Sequence, residues 1–147
     1  SRFVLAYYGK DAEVELKEYA EENGIHNVIL GGAFSPDKTS ELLEATDIIN
    51  SVYGTENTGV ETAIGVKESY GPLLHIPVLS DSGSYFSDLS EKYGFGKGVS
   101  IDDNMPDVVY NWYTGIVSQE FDFGCDQYCE WLEKINSKIE KELDKII

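Results

Sequence analysis

Five short apolar runs alternate with amphipathic stretches along these 147 residues, and that alternation constrains the fold more than any other feature of the chain. Phe3-Val4-Leu5-Ala6-Tyr7-Tyr8 ends at Gly9 and reads as a strand with apolar side chains on both faces. Asp11 stands where a helix cap would, before apolar positions Ala12, Leu16, Tyr19 and Ala20 at helical spacing, and Asn23-Gly24 supplies the stop. Val28-Ile29-Leu30 is a second strand, closed by Gly31-Gly32, and Ser35-Pro36 opens a helix through Leu42, Leu43 and Ala45. A third strand runs from Asp47 to Tyr53. A polar loop then leads to a helix from about Val60, expected to break near Gly71-Pro72 because proline lacks the N–H donor. Pro77-Val78-Leu79 is a fourth strand, Ser84 to Tyr93 a short helix, and Gly98 to Ile101 a fifth strand. Met105 to Tyr113 is helical, and from Ser118 one long amphipathic helix carries apolar residues at 121, 125, 128, 132, 135, 139, 143 and 146. Strands separated by helices imply parallel β-α-β units with right-handed crossovers. The expected fold is therefore α/β, a three-layer Rossmann-like domain over 1–147 with a five-stranded parallel sheet and a long C-terminal helix.

Charge excludes several functions. Acids outnumber bases 27 to 11, leaving −16, and the excess is present in both residues 1–100 and residues 101–147. No basic half exists to neutralise phosphates along a duplex, so nucleic acid is not an expected partner. Arg2 is the only arginine, so a bidentate guanidinium clamp on phosphate or carboxylate is nearly excluded. No apolar run reaches the roughly 18 residues of a membrane-spanning helix, so no transmembrane segment is expected. Cys125 and Cys129 are too few for a disulfide scaffold and read as core thiols on the long helix. No metal site is expected, because no histidine accompanies them.

Ligands of such sheets bind at the carboxyl ends of the strands. That edge is built from Gly9-Lys10, Gly31 to Phe34, Tyr53 to Glu61, Ser80 to Ser84 and Asp102-Asp103. Gly9, Gly31 and Gly32 lack a Cβ where a backbone would approach a ligand, although tight turns also want glycine. Lys67 shares a helical face with Val60, Ala63, Ile64 and Leu74. Its ammonium either meets a diphosphate beside helix-end amides, or snorkels over apolar surface, or pairs with Glu61 or Glu68. Glu61 and Glu68, seven apart, share a face of a regular helix and suit ribose hydroxyls or a solvated surface equally. Asp102-Asp103 ends a strand, where it binds metal or caps the next helix.

Taken together, these segments resemble a known arrangement. Phe3 to Gly9, Asn27-Val28-Ile29-Leu30-Gly31-Gly32-Ala33-Phe34 and Leu42-Leu43-Glu44-Ala45-Thr46-Asp47-Ile48-Ile49 resemble the donor-binding, C-terminal domain of GT-B glycosyltransferases of bacterial capsule and surface-polysaccharide assembly. Lys67-Glu68-Ser69-Tyr70-Gly71-Pro72 through Pro77-Val78-Leu79 resembles that family's segment with lysine and proline ten residues apart. Lys92 to Gly96 and Asn111-Trp112-Tyr113 also fit. The resemblance implies a nucleotide-sugar donor as ligand, with Gly31-Gly32 near the base and Lys67 facing the diphosphate. Tyr53, Glu61, Glu68 and Tyr70 complete the implied donor site, while the catalytic residues stay unassigned. Many retaining relatives carry two glutamates eight apart on this helix, and here those positions are Thr62 and Tyr70.

The resemblance also implies no metal and no organic cofactor, since lysine and helix amides suffice to neutralise a departing diphosphate. Family domains open with one more strand and helix than this chain, which begins Ser1-Arg2-Phe3. The chain is thus expected to be an excised fragment lacking its N-terminal acceptor domain, inactive alone. Its parent enzyme is expected in the cytoplasm or peripheral to the inner membrane. Loss of the opening strand predicts the sheet order 2-1-3-4-5, with the Phe3 strand beside the Asp47 strand. The alternative is a flavodoxin-like binding or signalling module without transferase activity.

Overall fold

The computed structural model describes residues 2–9, 12–54, 64–102 and 104–145, the side chains of residues 12 and 13 apart. The chain divides into two compact units, 1–45 and 46–147.

In the first unit, β1 (Leu5–Tyr7) and β2 (Val28–Leu30) pair in parallel with Leu5 opposite Val28 and Tyr7 opposite Leu30. The crossover helix α1 (Ala12–Glu22) ends as the Asn-Gly pair dictates. Gly24 takes the left-handed conformation at φ 64°, and the Asn23 side chain donates to the Tyr19 carbonyl at 2.8 Å. Ser35-Pro36 opens a single 3₁₀ turn, Pro36–Lys38, before α2 (Thr39–Glu44), and Ser35 donates its hydroxyl to Asp37. Val4, Leu5, Val14, Tyr19, Ile29 and Phe34 all remain exposed, so these short strands carry little core of their own.

The second unit holds β3 (Ile49–Ser51), α3 (Val66–Leu74), β4 (Val78–Asp81), α4 (Tyr85–Tyr93), β5 (Gly96–Val99), α5 (Met105–Thr114) and α6 (Ser118–Leu143). Its sheet is parallel in the order β3-β4-β5, with Ser51 opposite Ser80 and Ser80 opposite Gly98. Consecutive order with helical crossovers places α3 and α4 on one face. Side chains confirm it: Ser51 reaches α3, Val78 lies against Gly71 of α3, and Gly96 and Gly98 lie against Ser90 and Ser87 of α4. An aromatic cluster joins the end of α4 and the link to β5 with α6, with Phe95 4.9 Å and Tyr93 5.4 Å from the Tyr128 ring, and Trp131 5.5 Å beyond it.

The described strands therefore form a two-stranded and a three-stranded sheet, and the expected five-stranded sheet in the order 2-1-3-4-5 is not formed. The orders 2-1 and 3-4-5 survive, but the Phe3 and Asp47 strands do not pair. The reason is visible on β3. Ile49 N–H points to Pro77 of the β4 side, so the groups of Asn50 and Val52 face the free edge. Both are engaged locally: the Asn50 carbonyl accepts from Lys67 Nζ at 3.4 Å, and Val52 N–H donates to the Asn50 side chain at 3.1 Å. A strand edge already closed by a lysine and an asparagine is a poor template for another strand.

Three further expectations are corrected. Helix α3 begins at Val66 with Gly65 as its N-cap, not near Val60, and Ile64 lies outside it and shares no helical face with Lys67. Pro72 lies inside α3 rather than breaking it, and the helix continues until His75 turns left-handed at φ 55°. Gly71 and Pro72 are both buried, Gly71 directly against Val78 of the sheet, and that packing compensates the missing donor. Strand β5 begins at Gly96 rather than Gly98, because the absent Cβ atoms of Gly96 and Gly98 let α4 approach closely. His75 then ties α3 to α6, its Nδ1 2.8 Å from Asp122 and its Nε2 3.2 Å from Asp126.

Cys125 is fully buried and Cys129 half-buried. Burial first, then the charges of Cys129, Asp122 and Asp126, push the Cys125 thiol up to about 12 from an ordinary 9.0. Tyr128 is pushed up to about 12 from 10.0, again chiefly by burial. The folded state thus holds these protons more tightly than the unfolded chain. Their contribution to stability is complete below about pH 9 and is lost as pH rises toward 12. Equilibrium unfolding followed by circular dichroism should show an alkaline transition in that window. Native protein should leave Cys125 unlabelled by a thiol reagent until denaturant is added, since the thiolate is the reactive form. Rapid native labelling of Cys125 would contradict the packing.

Candidate functional site

The site is the carboxyl crest of the three-stranded sheet, where β3 and β4 deliver their last residues beside the start of α3. Asp81, the final residue of β4, is 3% exposed. Its two carboxylate oxygens accept from the backbone N–H groups of Tyr53 and Gly54 at 2.8 and 2.7 Å. The loop leaving β3 is therefore fastened to β4 by a charged acceptor, and Gly54 completes the turn at φ 89°. Fastened this way, the Tyr53 ring is 60% exposed, with Lys67 Nζ 4.6 Å from its centroid. A cation over an aromatic face is attracted by the ring quadrupole.

Lys67 stands in the first turn of α3, following Gly65 as N-cap and Val66. Its ammonium carries three donors and, among the described residues, gives one, at 3.4 Å, to the Asn50 carbonyl. The crest thus presents an exposed ammonium and an exposed phenol ring side by side near a helix N-terminus. Chemically such a pair suits an anion attached to a planar or ring-shaped group: the ammonium takes the charge, and the ring supplies a flat apolar contact.

Glu68 occupies a different environment. It is 7% exposed, one oxygen accepting from Ser51 Oγ at 3.1 Å and the other from the Gly65 N–H. The second bond satisfies the N-cap amide of α3, which is the task a glutamate performs at the third helical position. Both oxygens serve the fold, so Glu68 stabilises the turn that carries Lys67. Tyr70 is half-buried further along α3. Glu61, Thr62 and Asp103 lie outside the described residues, as do Lys10 and Asp11.

Gly9, Gly31 and Gly32 belong to the first unit, where each has a structural task. Gly9 N–H donates to the Gly32 carbonyl and Gly31 N–H to Tyr7, both at 2.9 Å, extending the β1–β2 ladder. A Cβ on Gly31 would stand 2.1 Å from the Tyr8 ring, which packs edge-on against Phe34 at 6.2 Å. Gly32 is left-handed at φ 67°. Structure thus brings together Lys67, Tyr53 and, beneath them, Glu68. Asp102 accepts from Asn104 N–H at 2.8 Å in the turn before α5, but Asn104 is the N-cap of that helix and makes no side-chain cap bond, so the expected cap by Asp102 is not formed.

Sequence reasoning passed over Asp81, Ser51 and Ser80 as individual residues. A signal was present: Asp81 is an acid closing the apolar run Pro77-Val78-Leu79, and every residue of β4 is buried. A carboxylate in that position needs donors, and the crest loop supplies them. Ser80 Oγ is buried and, among the described residues, has no hydrogen-bond partner. Among those residues, too, no group of three or more His, Cys, Asp or Glu side chains is placed to hold a metal ion, and no helix is long and apolar enough to cross a membrane. Comparison of the chain with protein-family models, curated proteins and solved structures finds no match.

Proposed function

We propose that this chain is the donor-binding half of a bacterial glycosyltransferase of surface-polysaccharide synthesis, holding a nucleotide-sugar by its diphosphate. The observation that carries the reading is the position of Lys67. Its exposed ammonium lies 4.6 Å from the Tyr53 ring centroid and 3.4 Å from the Asn50 carbonyl, beside the start of α3. In a protein of net charge −16, a cation held at the one edge where α/β sheets take ligands is a specific feature. Its role would be to hold the diphosphate and to stabilise the negative charge that develops as the sugar leaves. Tyr53 would lie against the base or the sugar, and Asp81 and Glu68 would hold the two segments that carry the pair. The acceptor would be bound by a separate domain, the parent enzyme would work in the cytoplasm, and the chain alone would be inactive.

Titration calorimetry with UDP and GDP tests this directly. Binding to the wild type that falls at least tenfold in Lys67→Ala, with an unchanged circular dichroism spectrum, is the expected outcome; removing one charged contact costs about 1.5–3 kcal/mol. Equal binding by both proteins would take Lys67 out of the site. Absence of binding to the wild type would overturn the reading.

A further inference from the structure

We propose that the crest takes its nucleotide as a magnesium complex, with the divalent ion bridging the two phosphates, because Lys67 alone leaves the crest with an excess of negative charge. The inference rests on the donor reading above and adds the form in which that ligand binds. Three side chains set the local charge. Lys67 is the cation. Glu68, its neighbour in the first turn of α3, is an acid with one oxygen on the Gly65 N–H. Asp81 is a second acid, its two oxygens on the N–H groups of Tyr53 and Gly54. One cation against two acids leaves a formal excess of one negative charge. Both acids are buried, so water screens them less than it screens the exposed ammonium.

The helix starts do not restore the balance. An open helix N-terminus offers an anion its unpaired N–H groups and the positive end of the dipole. In α3 the Glu68 carboxylate already holds the N-cap amide, so the amide expected to help neutralise a phosphate is taken. The first turn of α4 is closed as well, with Ser84 Oγ accepting from Ser87 N–H and Asp88 standing in that turn. No second cation is at hand among the described residues of the second unit. Lys92 stands in the last turn of α4, at the end away from the crest. Lys97 is paired with Glu91 at 2.7 Å. His75 lies past the far end of α3, between Asp122 and Asp126. The lysines from Lys134 onward lie in the C-terminal half of α6 and just beyond it.

A nucleotide-sugar bears a negative charge on each of its two phosphates, and it meets this crest on a chain of net charge −16. Magnesium takes oxygen ligands and keeps several of its waters, so phosphates and solvent complete its shell. Among the described residues no three His, Cys, Asp or Glu side chains are placed to hold a metal, so the ion comes with the ligand. Bound across the phosphates it cancels their charge. Lys67 then donates to a phosphate oxygen without having to outweigh Glu68 and Asp81, and the Tyr53 ring supplies the flat contact.

UDP titration calorimetry on the whole chain tests this, in magnesium chloride and in potassium chloride with EDTA, both at an ionic strength of about 0.15 M. UDP is expected to bind the wild type about tenfold more tightly with magnesium. Glu68→Gln should bind metal-free UDP about fivefold more tightly than the wild type does, and its gain from magnesium should shrink. Glutamine serves the third helical position as glutamate does, so the helical spectrum should be retained. Asp81 is unsuited to this test, because its loss also frees the loop that holds Tyr53. Equal wild-type affinity in the two buffers would overturn the magnesium inference and leave the donor reading standing. A folded Glu68→Gln that binds metal-free UDP no more tightly than the wild type would overturn the charge balance on which the inference stands. No binding in either buffer would overturn the donor reading, and this inference with it.

Discussion

Gly124→Ala is expected to destabilise the second unit by about 2–3 kcal/mol, lowering its melting temperature by roughly 10–20 °C. Intrinsic propensity argues the opposite, since alanine is favoured over glycine inside a helix by about 1 kcal/mol. Packing outweighs it. A Cβ at position 124 would stand 1.8 Å from the carbonyl oxygen of Tyr93, the last residue of α4. That atom belongs to backbone and cannot rotate aside, so α6 must lift from α4. The movement would open the stack of Tyr93, Tyr128 and Trp131, whose rings lie 5.4 to 6.1 Å apart. Ser137→Ala, on the exposed part of the same helix, is the control and should leave stability unchanged or slightly raised. Thermal unfolding by circular dichroism decides it: a neutral or stabilising Gly124→Ala would mean that α6 does not lie against Tyr93.

Asp81→Ala should cost about 2–4 kcal/mol and, if the proposed donor site is right, abolish nucleotide binding at the crest. The carboxylate is buried and accepts two backbone N–H bonds, from Tyr53 and Gly54. Removing it leaves both donors without their charged partner and frees the loop that holds the Tyr53 ring beneath Lys67. Asp81→Asn keeps one acceptor oxygen and turns an amide group toward the second N–H, so it should fall between wild type and alanine. Two readouts separate the fold from the site. Chemical denaturation gives the stability loss, and UDP titration of the still-folded Asn variant should show weaker binding than the stability loss alone explains. A variant as stable as the wild type would remove Asp81 from its fastening role.

Local structure was legible wherever local chemistry dictates it. Asn23-Gly24 terminates α1 and Ser84 caps α4 by accepting from Ser87 N–H at 3.1 Å, each as the residue types require. The long helix from Ser118 was equally plain from its spacing. Pro72 was misread because a proline's local cost is known from sequence, whereas the packing of Gly71 on Val78 that offsets it is not. The site divided along the same line. Lys67 and Tyr53 were recognisable as residue types at a crest, yet Glu68 looked like a ligand contact until Ser51 and the Gly65 amide were seen to occupy its oxygens.

Residue order dictated the secondary elements, their parallel sense and the sequence of strands within each sheet, because turns, caps and hydrophobic periods act over a few residues. Where one sheet ends was decided only in three dimensions. The edge of β3 is closed by Lys67, seventeen residues away, and the loop after it is held by Asp81, twenty-seven and twenty-eight residues from its donors Gly54 and Tyr53. Hydrogen bonds between groups so far apart exist only after the chain has packed, and no local pattern encodes which backbone group a distant side chain will satisfy.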